Sequence, residues 1–436
     1  MTEPSAAKSS KSIGVVGATL IGVGGMVGGG IFAVLGTAVM QAKGGTPIAF
    51  GLAGLVALLT AYSYAKLSVR FPRSGGTAVF LDHGFGVNLF TGMLNLILWL
   101  SYLVTIALYA SAFGSYAVTF FDQPAPWLKH VFITLAIMMP AAINLLNAEL
   151  VSKSETAIVI VKIVLLCVVI AAGAFHTDVS RLTPDTWAPF TALVIGGMVI
   201  FVAFEGFELI ANAAEDVKNP KRTLPRAYFL CVGSVIALYM VVAAVTVGSV
   251  DTETIIKAKD YALAEAARPS LGQAGFILVS VSALMATFSA INATIYGNAR
   301  LGFTLATEGE LPGALGKRVW HRPVNGVVVT MLISALLANT IDLEAIAILA
   351  SAGFLLIFAA VSAAAFRLGP AIGANRIITA LATLASSGAL LALLISSANE
   401  NLHALFVFGG LIVIAFLFEL IYPKLTTRKM RNWSHH

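Results

Sequence analysis

Charge is what this sequence lacks most. Of its 436 residues only 11% are Asp, Glu, Lys or Arg, against roughly a quarter in an ordinary soluble domain. With a mean hydropathy of +0.90, that scarcity excludes water as the main solvent of the chain, and no soluble domain fits between its apolar runs. Cysteine is nearly absent too. Cys167 and Cys231 are too few for a disulfide framework or a thiolate metal site, and both fall in apolar stretches, where they read as small core residues. The histidines lack ligand-spaced partners: His176, His321, His403, His435 and His436 fall in loops or tails, and His83 and His130 lie near interfaces. No metal or other cofactor is therefore expected. The paired sets that an intramembrane enzyme would need, His-Glu-x-x-His or a serine with a histidine at depth, are also missing.

Apolar runs fill the chain instead. A bilayer crossing takes roughly 20 apolar residues in a helix, and such runs recur near residues 13–42, 47–69, 87–121, 127–147, 154–175, 188–213, 226–249, 272–299, 325–340, 344–366, 376–397 and 402–422. These predict an all-α membrane protein with twelve transmembrane helices, numbered here as spans 1 to 12. Residues 1–12 form a small, polar tail that is basic at Lys8 and Lys11 and lacks a convincing cleavage site, so it reads as a cytoplasmic tail and not as a signal peptide. A basic tail, 423–436, follows span 12. Twelve crossings put both ends on one side. Of the 27 basic residues, twenty fall on that side, among them Lys66, Arg70, Arg73, Lys218, Lys221 and Arg222, and six fall on the other, Lys43, Lys129, Arg181, Lys257, Lys259 and Arg268. Cytoplasmic loops carry the excess of Lys and Arg, so both termini are expected in the cytoplasm. The net charge of +6 follows from this topology and implies no nucleic-acid partner.

Two places break the helical pattern at corresponding positions of two five-span halves. One is Gly24-Gly25-Met26-Val27-Gly28-Gly29-Gly30 in span 1, and the other is Phe204-Glu205-Gly206-Phe207-Glu208 in span 6. Interrupted helices at matching positions are the best sequence pointer to a transporter's central site. Close helix packing is the other reading of the glycines, since Gly24 and Gly28 are four apart, as are Gly25 and Gly29. Packing needs only two of them, and five in seven residues weaken a continuous helix. A phosphate loop is weaker still, because no Lys-Ser or Lys-Thr follows. Polar linkers follow span 2 (70–86, inside) and span 7 (250–271, outside), an inversion that predicts repeats at 13–175 and 188–366 with 376–422 appended. The outer linker, helical in character over 262–267, reads equally as a cap on an outer vestibule and as an ordinary loop.

Lys162 is the one basic residue left at bilayer depth, about ten residues or roughly 15 Å into span 5. An isolated ammonium there is expensive, so it must be neutralised or paired, which suits a proton carrier as well as a structural lysine bonded to carbonyls. Glu205 and Glu208 flank the second break, and one of them is open to a purely structural role. Phe201, Phe204 and Phe207 read either as rings that shut a site from water or as packing.

The run Gly28-Gly29-Gly30-Ile31-Phe32, the segment Phe71-Pro72-Arg73-Ser74-Gly75-Gly76, Gly206-Phe207-Glu208 with Ala214-Glu215-Asp216-Val217-Lys218-Asn219-Pro220, and Glu308-Gly309-Glu310-Leu311-Pro312 together resemble the amino acid, polyamine and organocation transporter superfamily, most nearly its prokaryotic proton-coupled amino acid permeases. The resemblance spans nearly the whole chain. It implies a LeuT-type 5+5 inverted repeat with broken helices 1 and 6 plus two extra helices, located in the cell inner membrane, and proton-coupled uptake of a small-molecule amino acid. The oligomeric state stays open. The implied substrate residues are Met26, Val27, Gly28, Gly29, Gly30, Val202, Phe204, Glu205, Gly206, Phe207 and Glu208: amides at the start of a half-helix would take the carboxylate, and the carbonyls of Met26, Val202 and Glu205 the ammonium. The implied proton-coupling set is Lys162 with Gly24, Val27 and Ser289. Because of the two glutamates, a permease or exchanger for cationic amino acids or polyamines is the alternative.

Overall fold

The computed structural model describes residues 12–73, 75–146, 148–316 and 324–425. The tail residues outside these limits lie beyond the described residues, as do Lys317, Arg318, His321 and Arg322. Seventeen α-helices occur among the described residues: α1 (Val15–Met26), α2 (Gly30–Ala42), α3 (Thr46–Arg70), α4 (Gly76–Phe85), α5 (Leu89–Val118), α6 (Pro126–Leu146), α7 (Ala148–Ala174), α8 (Phe190–Val199), α9 (Leu209–Asn212), α10 (Pro220–Ser249), α11 (Thr252–Ala258), α12 (Ala262–Ala266), α13 (Arg268–Thr307), α14 (Val324–Thr340), α15 (Leu343–Leu368), α16 (Arg376–Glu400) and α17 (Leu402–Leu425). Nine of them are long and apolar enough to cross a membrane, and eleven crossings result if two bent pairs each count as one. The helix α14, at the position of span 9, is apolar but only 17 residues long.

The bent pairs fall where the glycine and glutamate clusters interrupt the pattern. Span 1 divides into α1 and α2, bent by 51°, and span 6 divides into α8 and a segment from Phe201 to Asn212, bent by 58°. These two broken spans are tied to each other at both ends. At one end Ile13 pairs with Val217, and at the other Lys43 pairs with Trp187. Around them the helices sort by burial: the most apolar stretches of α5 and α15 are 89% and 94% buried within the protein, whereas those of α7, α16 and α17 are 28%, 28% and 22% buried. The breaks therefore sit in an all-protein centre, and the peripheral helices turn apolar faces outward, as a lipid solvent requires. Cys231 is buried but Cys167 is exposed on α7, which corrects its reading as a core residue: an outward face in lipid is as apolar as a core.

Both polar linkers contain helices: α12 falls within 262–267, the stretch that reads as helical, whereas α4 and α11 are not marked by the apolar pattern. In the first, α4 buries Val79, Phe80 and Leu81. In the second, α11, a 3-10 turn at Lys259–Tyr261 and α12 lie across the bundle. Lys259 bonds Glu344 of α15 at 2.8 Å, and Asp260 bonds Lys129 of α6 at 3.0 Å and accepts from Ser115 of α5 at 2.9 Å. Burial alone would lower the Lys259 pKa, but the bond and charge of Glu344, with Asp260 and Asp342, outweigh it and raise the value. This linker is anchored to three helices.

Asp82 of α4 is 6% exposed. Burial, and after it the charges of Glu310 and Glu308, pushes its carboxyl from 3.8 up to about 8 against a hydrogen bond from Asn95. Folding therefore favours the protonated form. The stability this carries is whole below the ordinary carboxyl value and is lost as pH rises through about 8. The melting temperature of the purified protein should accordingly fall as pH is raised from 5 to 8, and Asp82→Asn should flatten that slope. Equal slopes in the two proteins would assign the effect to another group.

Candidate functional site

In α1 the chain reaches Met26 and then leaves the helix for three residues before Gly30 opens α2. A helix has no internal partners for its first four N–H groups; at α2 these begin with Gly29 and Gly30, and no side chain caps them. In span 6, α8 ends at Val199, a 3-10 turn covers Phe201–Phe204, and Gly206 takes φ +70° before α9 begins at Leu209. The breaks touch. A Cβ built on Gly206 would lie 2.5 Å from both the carbonyl carbon of Gly25 and the nitrogen of Met26, and one on Gly30 would lie 2.8 Å from Ala203 Cα. Only glycine combines this positive φ with so close a backbone approach.

Every residue from Met26 to Gly30 and from Phe201 to Glu208 is buried, so the polar groups here must find partners inside the protein. Helix α5 supplies several. Glu205 accepts from Thr105 Oγ1 at 3.0 Å and from the Tyr109 hydroxyl at 3.1 Å, and Glu208 accepts from the Tyr102 hydroxyl at 3.0 Å. The other carboxyl oxygen of Glu208, Oε2, meets no hydrogen-bond partner among the described residues. Tyr109 also joins the two breaks, because its ring lies where a Cβ on Gly29 would come within 2.3 Å. From α10, the Tyr239 hydroxyl donates to Met26 O at 2.6 Å and lies 3.3 Å from Ala203 O.

Of the carbonyls expected to be free, that of Met26 is thus bonded to Tyr239, that of Val202 accepts from the Glu205 N–H at 3.1 Å, and that of Glu205 accepts from the Phe207 N–H. Each keeps one lone pair. The rings of the second break are engaged as well: Phe204 meets Tyr239 at 5.3 Å between centroids, Phe207 meets Phe358 at 5.0 Å, and Phe201 meets Phe358 at 5.9 Å. In this structure they pack.

Lys162, midway along α7, is 2% exposed. Its Nζ donates to Gly24 O at 2.9 Å, one turn before the first break. The approach is direct, since a Cβ on Gly24 would lie 2.9 Å from Val159 of α7. Gly28 faces Ala290 of α13, 2.9 Å from the Cβ it would carry, which brings buried Ser289 into the neighbourhood of the break. Lysine, first break, second break and both glutamates thus occupy one buried region. The α5 hydroxyls and Tyr239 escaped the sequence reading. Tyr102, Thr105 and Tyr109 do carry a signal, a polar stripe at helical spacing along a largely apolar 30-residue helix; a lone tyrosine such as Tyr239 carries none.

Comparison with known proteins agrees with this architecture. The family described as amino acid permease matches residues 13–418. The chain is 32% identical to the inner membrane transport protein YbaT of Escherichia coli, over 95% of this chain and 97% of that protein. It is 32% identical to the chloroplastic cationic amino acid transporter 9 of Arabidopsis thaliana, over 70% of this chain and 57% of that one. It is 28% identical to the branched-chain amino acid permease BcaP of Bacillus subtilis, over 81% and 80%.

Proposed function

The chain belongs to the amino acid permease family, and we propose that it is a secondary transporter that takes up an amino acid together with a proton by alternating access. It is a multi-pass membrane transporter and not an enzyme. The observation that carries the coupling is the buried Lys162 amine bonded to Gly24 O beside the first break. A group that gains and loses a proton there changes which backbone arrangement of span 1 is favoured, and a pH difference then biases that arrangement on one side of the membrane. Gly24, Val27 and Ser289 are the acceptors we assign to it.

The two bent pairs, with a helix-bearing linker after α3 and another after α10, support a 5+5 inverted repeat at 13–175 and 188–366, with α16 and α17 appended to give twelve spans. The distribution of Lys and Arg supports cytoplasmic termini, and YbaT, named as an inner membrane protein, supports that membrane. The substrate carboxylate is held by the amides of Gly28, Gly29 and Gly30, where the start of α2 presents N–H groups and the positive end of a dipole. Its ammonium takes the remaining lone pairs of Met26, Val202 and Glu205 carbonyls. Val27, Phe204, Gly206, Phe207 and Glu208 line the side-chain end.

A cationic substrate is the second reading, favoured by Glu208 Oε2, a buried carboxyl oxygen with no bond to any described residue, and by the relative named as a cationic amino acid transporter. Competition against a neutral amino acid in proteoliposomes separates the readings. Glu205→Gln should change the preference between L-leucine and L-arginine by about tenfold, the worth of roughly 1.4 kcal/mol of charge interaction, with little change in melting temperature. An unaltered ratio would deny Glu205 a part in selectivity.

A further inference from the structure

Something outside span 6 must hold it bent. In a continuous α-helix the Val202 N–H would donate to Met198 O, and the Ala203 N–H to Val199 O. Here the Ala203 N–H turns to Ile200 O at 2.9 Å, and a single side chain from α15 meets both groups that the bend releases. Ser351 Oγ accepts from the Val202 N–H at 3.0 Å and donates to Val199 O at 2.7 Å. It is wholly buried. A hydroxyl is the smallest side-chain group that donates and accepts at once, so one serine substitutes for both missing helical bonds. The same face of α15 carries Phe354, 5.5 Å between centroids from Tyr102, the donor to Glu208, and Phe358 against Phe201 and Phe207.

We propose that Ser351 is a positioning residue for transport: it holds span 6 in the bent, substrate-competent arrangement and ties that bend to α15. This rests on the reading of the two breaks as the substrate site. Two arrangements compete, a bent one satisfied by Ser351 and a loosened one in which the bend is not held. Without the hydroxyl the bent form leaves a buried N–H and a buried carbonyl unbonded, the loosened form gains population, and apparent affinity falls by the fraction lost.

The test uses the full-length protein with Ser351→Ala, and with Ser351→Thr and Ser351→Cys as variants that keep a donor-acceptor atom. Hydrogen–deuterium exchange over residues 196–206 reads the bend without any substrate. Binding and uptake of L-leucine and L-arginine read the site. Ser351→Ala should speed exchange in that segment and raise KM roughly ten- to a hundredfold with maximal rate within about threefold, and Ser351→Thr should recover most of the affinity. Should Ser351→Ala fail to fold, Ser351→Cys, a weaker donor, should give the same changes at smaller size. Unchanged exchange in a folded Ser351→Ala protein, or in Ser351→Cys where only that folds, would overturn the proposal. Faster exchange with unchanged KM would overturn the assignment of the breaks as the substrate site, and with it any role of Ser351 in transport.

Discussion

Lys162→Ala should abolish accumulation of substrate against its gradient, bringing the internal-to-external ratio under an imposed pH difference down to one, while substrate binding in detergent stays within a few-fold. The amine donates to Gly24 O at 2.9 Å from a site 2% exposed to solvent. Gly24 lies in α1, whereas the substrate carboxylate is assigned to the opening of α2, so loss of this bond reaches binding through the geometry of the break. Its effect on coupling is direct. An alanine cannot exchange a proton, so protonation no longer distinguishes the arrangements of span 1, and a gradient shifts only an equilibrium whose states differ in the protons they bind. Lys162→Gln, which keeps a donor for Gly24 O but does not titrate, should behave as the alanine does. If either variant still concentrates substrate on a pH gradient alone, the proton is carried elsewhere, with Glu208 the first group to examine.

The second large effect is at Gly206, where Gly206→Ala should remove measurable substrate binding, a loss of at least a hundredfold, and lower the melting temperature by several degrees. Its φ of +70° costs an L-residue roughly 1–2 kcal/mol, and the new Cβ would sit 2.5 Å from backbone atoms of Gly25 and Met26, which cannot rotate away. The two breaks would be forced apart where they are assigned to hold the substrate together. Gly388→Ala on α16, where a Cβ meets nothing within 4 Å, is the matched control and should be neutral or slightly stabilising. A Gly206→Ala protein that binds substrate like the control would mean that contact between the breaks is not needed for the site.

How far the sequence alone reaches depends on what each feature leaves in one dimension. The long helices are legible because the length of an apolar run is the property the bilayer selects. The breaks are legible because glycines and a pair of acids interrupt that run. Helix ends are less so: Gly272, at φ +63°, does interrupt α13 where the apolar run of span 8 begins, but at the other end the helix passes 299 and continues to Thr307, since a helix continues past the apolar layer wherever its polar residues still find partners. The helix α4 is hidden in a linker because, although most of it is buried, it is only 10 residues long, too short for a bilayer crossing, and is mixed with glycines and polar residues. Cys167 misled because lipid-facing and core positions are equally apolar. Ser351 and Tyr239, which hold the bent backbone, are single polar residues in apolar helices, and nothing in the chain marks which distant carbonyl they will meet. Lys162 differs from them only in that a charge at depth demands an explanation by itself.

The central claim, uptake of an amino acid driven by protons, is tested most directly with the unmodified protein in proteoliposomes that contain no internal substrate, under an imposed inward proton gradient at zero membrane potential. A panel of labelled neutral and cationic amino acids serves as probe. The account predicts accumulation of at least one of them above its external concentration, and collapse of that accumulation when a protonophore dissipates the gradient. Uptake indifferent to the pH difference, and appearing only when the vesicles are preloaded with an amino acid or amine, would contradict it and identify an exchanger.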